Sequence, residues 1–405
     1  MPVLSVVRLL PPLCVVLLVA VPARAQQPPR DPDDATVKIG PLSIKPTLIV
    51  KNIGRDNNVF NESSSPKSDF TMTISPTVEL VFHPRRLKLT YAQTTDYVYF
   101  KKYKSERGTN QSSNLKAEFT LGPLTPYIGA TTANSRDRYN TEVDIRARHK
   151  DTGYNAGVNL KLFTRTTASL GVRTVTYRFN EGVATRFRGQ SLARSFNATL
   201  DSVDAGIGLA LTPLTSFMLG VTKERERFQQ APERDSDTIR VMPTLTFSPL
   251  GLINGSVALG YRKFTPRDPR TPAFKGFVAA VTSGVTLFDR HRIDVTVTRD
   301  LSYSYDAATP TYIQTGGSVA WTFVVAGPFD VKATAARNLM NYQGTAAAPV
   351  NTSDTYSSYA VGLGYRVRRK LRIGANGDWA KRASQHAGDR AYDNHKIYGT
   401  LTWGS

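Results

Sequence analysis

From Ser43 onward the chain alternates apolar and polar residues in runs of roughly ten, each closed by a turn, and it does so about eighteen times. Phe70, Met72, Ile74, Pro76, Val78, Leu80 and Phe82 form one face of such a run, against Thr71, Thr73, Ser75, Thr77, Glu79 and Val81 on the other. Ile239, Val241, Pro243, Leu245 and Phe247 oppose Arg240, Met242, Thr244 and Thr246 in the same way. Near the end, Leu371, Ile373, Ala375, Gly377 and Trp379 oppose Arg372, Gly374, Asn376, Asp378 and Ala380. Residues two apart fall on opposite faces of a helix, so this period belongs to strands.

A large soluble β-sandwich or propeller shares the period, but three features favour a sheet closed within a membrane. The second face is rich in Gly, Ala, Thr, Asn and charged groups in nearly every run, as a wet lumen requires. Connections alternate in length: short ones at His83, Gly122, Thr212 and Ala326, long polar ones near Asn61, Lys104, Arg186, Arg267 and Ala347. Aromatic residues gather at run ends, as at Tyr97, Tyr99 and Phe100, Tyr177 and Phe179, or Tyr303 and Tyr305, which reads as girdles at the membrane interfaces. The expectation is an all-β, antiparallel, up-and-down transmembrane barrel of about 18 strands, with 16 the alternative. The stretch from Val143 to Leu162 is read as one long strand, although Asp151-Thr152-Gly153 could turn it. Pro46, Pro76 and Pro243 share the lipid-facing parity, and because proline removes a ladder donor they suggest a shared bulge near mid-strand.

Residues 1–25 change the compartment in which this pattern is read. Arg8, the apolar stretch from Leu9 to Val21 and Ala23-Arg24-Ala25 spell a signal peptide cut after Ala25. A membrane anchor is the competing reading, but the stretch is short and carries Pro11-Pro12; Cys14 lies inside it and lacks the small residues that precede a lipid-modified cysteine. The rest holds no cysteine, so stability in an oxidising compartment must come from the backbone ladder rather than from disulfides. Residues 26–36 read as a short periplasmic tail and 37–405 as the barrel, placed in the bacterial outer membrane.

Charge then narrows the partners. The formal net charge of +20 would suggest nucleic acid in a cytosolic protein, which the leader argues against. The cations fall in predicted loops and at lumen-side positions: Lys88, Lys116, Arg136, Lys161, Arg240, Lys332, Arg366 and Arg372, offset by acids such as Glu79, Asp294 and Asp378. A positive lining favours anionic solutes. The weightier alternative is that these groups pair across strands to stiffen the wall, while loop cations meet lipopolysaccharide phosphates.

Enzyme and metal chemistry find little support. His83, His149, His291, His386 and His395 are scattered without ligand spacing, no G-x-S-x-G occurs, and His386 beside Asp389 in an outer loop is a weak trace of a rim hydrolase. Asp56, Asn57 and Asn58 could offer oxygens to Ca²⁺, but a turn is the simpler reading. No cofactor motif is present.

The N-terminal quarter resembles the putative beta-barrel porin 2 family through SIKPTLIV at Ser43, DNNVF at Asp56, SDFTMTISPTVELVF at Ser68 and LKLTYAQTTDYVYF at Leu87. The resemblance implies an outer-membrane barrel, with a connection to extracellular polysaccharide export, and brings no site residues. One departure is the last strand, whose Trp403 stands two residues before the terminus where such barrels usually end on an aromatic residue; the barrel-assembly machinery is expected to tolerate this. The expected function is a porin-like channel or the outer-membrane component of polysaccharide export. The alternative is a non-conducting barrel whose surface binds lipopolysaccharide or polysaccharide. Composition leaves open whether a loop plugs the lumen and whether the barrel oligomerises.

Overall fold

The computed structural model describes residues 37–404 except 181–185, 249–251, 346–347, 349, 351, 369 and 386–389. The leader at 1–25, the tail at 26–36 and the His386/Asp389 pair lie outside the described residues.

Alternating side chains make each run a two-faced strand, and eighteen of them pair in chain order. They are β1 Leu42–Asp56, β2 Asp69–Phe82, β3 Leu87–Phe100, β4 Gly108–Phe119, β5 Leu124–Arg138, β6 Arg146–Lys161, β7 Thr166–Phe179, β8 Ala198–Thr212 and β9 Thr215–Phe228. The second half is β10 Ser236–Phe247, β11 Ile253–Pro266, β12 Phe274–Leu287, β13 His291–Tyr303, β14 Thr311–Ala326, β15 Phe329–Gln343, β16 Ser353–Arg368, β17 Leu371–Ser384 and β18 Tyr392–Trp403. β18 closes on β1 through pairs from Leu48 with Trp403 to Asp56 with Lys396, so the wall has no free edge there. Val143 does not begin β6, and Asp151-Thr152-Gly153 runs straight through that strand rather than turning it.

All the long connections lie at one end, opposite the short turns, and both β1's start and β18's end lie at the short-turn end. In outer-membrane barrels the long loops lie at the exterior end and the short turns at the periplasmic one, and the two ends are named accordingly. Outward faces carry exposed apolar side chains, as at Ile128, Leu170, Val203, Ile207, Leu259, Phe277, Leu363 and Ile397, which is a lipid-facing band.

The prolines do not build a shared bulge. Pro76 pairs with Leu48 and Pro243 with Leu219, and on the other side of each the ladder skips two residues without changing register. The bulge in β1 is at Asn52, whose φ of 57° shifts the register against both neighbours. Pro76→Val should restore a donor to the β2–β3 ladder and add about 1 kcal/mol of stability; a lower unfolding temperature of the detergent-solubilised variant would refute this.

Of the aromatic clusters, Tyr97 is outward and half exposed, as a girdle requires. Phe100, Phe179 and Tyr305 are buried, and Tyr177 shares Phe179's parity in β7, so these aromatics belong to the interior at the outer mouth. The reason is local: several loops meet at the mouth and need an apolar bed.

Candidate functional site

The loop between β5 and β6, residues 139–145, bends into the lumen. Its backbone would be left without partners in an apolar setting, and it finds them on strands from across the barrel. Glu142 and Val143 are fully buried. The Glu142 carboxylate accepts the Ser304 hydroxyl at 2.6 Å and the Tyr305 N–H at 3.1 Å. Its backbone carbonyl accepts Arg382 Nη1 at 3.2 Å and Arg390 Nη2 at 3.0 Å.

Arg382, on β17, is the hub. It donates to Asp144 at 2.9 Å, Asp354 at 2.5 Å and the Thr141 carbonyl at 3.1 Å, so one guanidinium ties the loop to β16 and β17. Arg390 adds Asp354 at 3.2 Å and lies over the rings of Tyr305 and Tyr342. Val143 packs among Ala147, Phe179, Phe187, Leu192, Phe196 and Tyr305. The short helix Leu192–Phe196, capped by Ser191, brings two of these in, and its Ser195 hydroxyl donates to the Tyr305 carbonyl at 2.8 Å. From the loop after β9, Arg234 donates to the carbonyls of Ser304 and Pro310 and so fixes the loop that receives Glu142.

Burial opposes a charge on Glu142 and pushes its carboxyl up to about 7, although the Ser304 and Tyr305 hydrogen bonds and the two arginines pull the other way. A carboxyl poised there changes charge near neutral pH within the packed mouth.

Below this plug, inward positions are set by register. Arg240 stands between Glu224 at 3.6 Å and Asp300 at 2.6 Å, and Arg262 joins Asp300 at 2.7 Å. Around mid-strand the inward residues are small: Gly206, Gly220, Ala258, Ala280, Gly316 and Ala336. At the periplasmic end a second charged tier appears. Lys116 pairs with Glu118 at 2.7 Å, Arg292 with Asp294 at 2.6 Å and Arg372 with Asp330 at 2.5 Å. Lys88 stands opposite Glu118, Glu79 opposite Lys45, and Arg366 opposite Arg372. Lys161 ends β6 on the inward face, and Lys332 is inward and exposed. Asp378, nearer mid-strand, accepts the Tyr398 hydroxyl at 3.0 Å opposite Lys396.

Arg136 is a correction. In β5 the inward parity is that of Tyr127, Gly129 and Ser135, so Arg136 shares the face of lipid-exposed Ile128 and sits on the outer rim with Glu106 at 3.2 Å. Tyr127 shows the inward side directly: its hydroxyl lies 2.5 Å from where a Cβ on Gly157 would stand, so only glycine leaves the ring room.

Asp56, Asn57 and Asn58 act as a clasp. Asp56 accepts Asn394 Nδ2 at 2.9 Å and the Asn58 N–H at 3.0 Å, Asn57 accepts the His395 N–H at 2.7 Å, and Asn58 donates to the Asp393 carbonyl at 3.0 Å. The side-chain oxygens of Asp56 and Asn57 fasten β1's outer end to β18, and that of Asn58 accepts the Glu62 N–H at 2.9 Å.

Glu142, Arg382, Arg390 and Asp354 were not among the residues singled out by sequence. The one available trace is Glu142-Val143-Asp144-Ile145, an acid–apolar alternation that imitates the start of a strand.

The family model described as Putative beta-barrel porin 2 matches residues 31–403. Comparison with curated proteins finds no match. Similar solved structures include OpdK with vanillate from Pseudomonas aeruginosa, at 8% identity and TM-score 0.47, covering 89% of this chain and 99% of that one. OccK3 (OpdO) of the same organism is 10% identical, with TM-score 0.46 and coverage of 89% and 95%. The siderophore receptor PirA from Pseudomonas aeruginosa is 8% identical, with TM-score 0.44 and coverage of 91% and 81%.

Proposed function

Because the chain belongs to the Putative beta-barrel porin 2 family, we propose that it is an outer-membrane channel whose outer mouth is held shut by loop 139–145 and opens when that loop lets go. The observation that carries this reading is the Glu142 latch: a buried carboxyl joined to Ser304 and Tyr305 across a lumen whose middle belt is lined by small side chains. Purified protein in planar bilayers should give discrete current steps. Silence at every pH would overturn the channel and favour a non-conducting barrel, the second reading, which the complete burial of Glu142, Arg382 and Asp354 supports. Passage of a polysaccharide, implied by the family, would require the same loop to leave the lumen.

The lumen charges support a modest preference for anions: the upper tier is balanced by Glu224 and Asp300, whereas lysines and arginines outnumber the acids at the periplasmic end. Arg240→Glu with Arg372→Glu turns two balanced groups acidic, leaving Asp300 and Asp330 beside new carboxylates. The reversal potential in a KCl gradient should move toward the cation side. An unchanged potential would show that these residues do not set selectivity.

A further inference from the structure

Much of the net positive charge lies on the outside of the wall. Register places Lys223 of β9, Ile239 of β10, Lys263 of β11 and Lys275 of β12 in one outward row near the exterior end. All three lysines are exposed, and none has a carboxylate within ion-pair distance among the described residues. Of the outward acids diagonal to Lys223, Asp237 is already held by Arg227 at 2.7 Å and Arg267 at 3.6 Å, and Asp201 stands opposite Arg225.

Lys263 and Lys275 are direct cross-strand partners. Like charges opposite one another on a sheet face repel. The contrast with the inner face is instructive: Arg240 and Arg262 are also direct partners, but Asp300 bridges them. On the outer face no acid among the described residues does so. Two residues toward the membrane, about 7 Å lower, the same four strands present Val221, Val241, Tyr261 and Phe277, all exposed. A cationic row one step above an aromatic and aliphatic row marks the boundary between headgroups and hydrocarbon. Lys275 stands on the stretch of β12 that precedes its ladder with β13, which begins at Ala279.

We propose that Lys223, Lys263 and Lys275 form a binding site for the phosphates of a lipid A headgroup in the outer leaflet. The lipid supplies the bridging anion that Asp300 supplies inside, and its acyl chains continue down over Tyr261 and Phe277. The site depends on the barrel's orientation in the outer membrane and not on whether the barrel conducts.

Native mass spectrometry of the full-length mature protein in detergent without divalent cations, titrated with bis-phosphorylated lipid A, tests this. Wild type should bind it, and the K223S/K263S/K275S variant should bind about a hundredfold more weakly, at roughly fivefold per lysine. Arg85→Ser with Arg86→Ser, in an exposed periplasmic turn, should bind like wild type. Should the triple variant fold poorly, the K263Q/K275Q pair and the loss of wild-type affinity with added salt carry the same test. Equal affinity in the lysine variants, equal binding of dephosphorylated lipid A, or displacement by millimolar inorganic phosphate would each overturn the proposal.

Discussion

Lowering the pH from about 9 to about 5 should shut the channel, and Glu142→Gln should keep it shut throughout that range. The sign follows from the two environments of one carboxyl. In the closed mouth burial holds Glu142 at about 7, whereas a glutamate released into water returns to its ordinary 4.5. Below 4.5 both states carry the proton and closure is at full strength. Between 4.5 and about 7 the released carboxyl ionises while the buried one keeps its proton, so each pH unit weakens closure about tenfold. Above about 7 both are ionised and the loss levels off, having reached about 3 kcal/mol, or a few hundredfold in the ratio of closed to open. Glutamine copies the protonated form: its amide can donate to Ser304 and its carbonyl can accept the Tyr305 N–H, with nothing to titrate. Open probability of single channels, measured across this pH range for both proteins, is the readout. Superimposable pH profiles for wild type and E142Q would reject Glu142 as the titrating latch.

The wall was legible in the sequence because it obeys one period. An outward Val221, Val241 or Leu363 and an inward Thr222, Arg240 or Gly362 follow from parity alone, and the turns between runs fix how often the parity restarts. The mouth obeys no period. Loop 139–145 is stabilised by partners such as Ser304, Asp354 and Arg382, which are distant in sequence and meet it only once the barrel has closed. Arginine 382 looked like an ordinary strand residue, and Val143 like the first residue of a strand. The aromatic run ends misled for a related reason: girdle and plug both place aromatic rings at strand ends, and only the register of neighbouring strands tells the outward Tyr97 from the inward Phe179. Arg136 was misplaced because in β5 the exterior end carries charge on its lipid-side parity, where the strand has already left the membrane. That same excess of outward cations is invisible in a net charge of +20, which does not tell inner from outer positions.

Removing the hub should open the mouth at all pH values while leaving the wall intact. Arg382→Met strips Asp144 of its 2.9 Å partner and leaves the buried Asp354 with Arg390, Tyr342 and Ser384. Taking one member from a buried ion pair costs about 3–5 kcal/mol. That exceeds the roughly 1.5–3 kcal/mol that burying Val143 returns, so the loop, with Asp144 left to the Asn61 amide and Asp354 to Arg390 as its one remaining arginine among the described residues, should leave the lumen. The eighteen-strand ladder does not include Arg382's side chain, and the thermal unfolding of the barrel should therefore shift little while conductance rises several-fold. Pairing the change with Asp354→Leu separates charge from shape. An apolar pair of similar bulk replaces the Arg382–Asp354 charge pair, while Arg390 keeps the Tyr342 hydroxyl and the Glu142 carbonyl, so the double variant should regain part of the closure lost by R382M, with a coupling of about 1–3 kcal/mol in a double-mutant cycle. If conductance in R382M equals wild type, Arg382 does not hold the loop; if the two substitutions simply add, the ion pair is not the element that holds it.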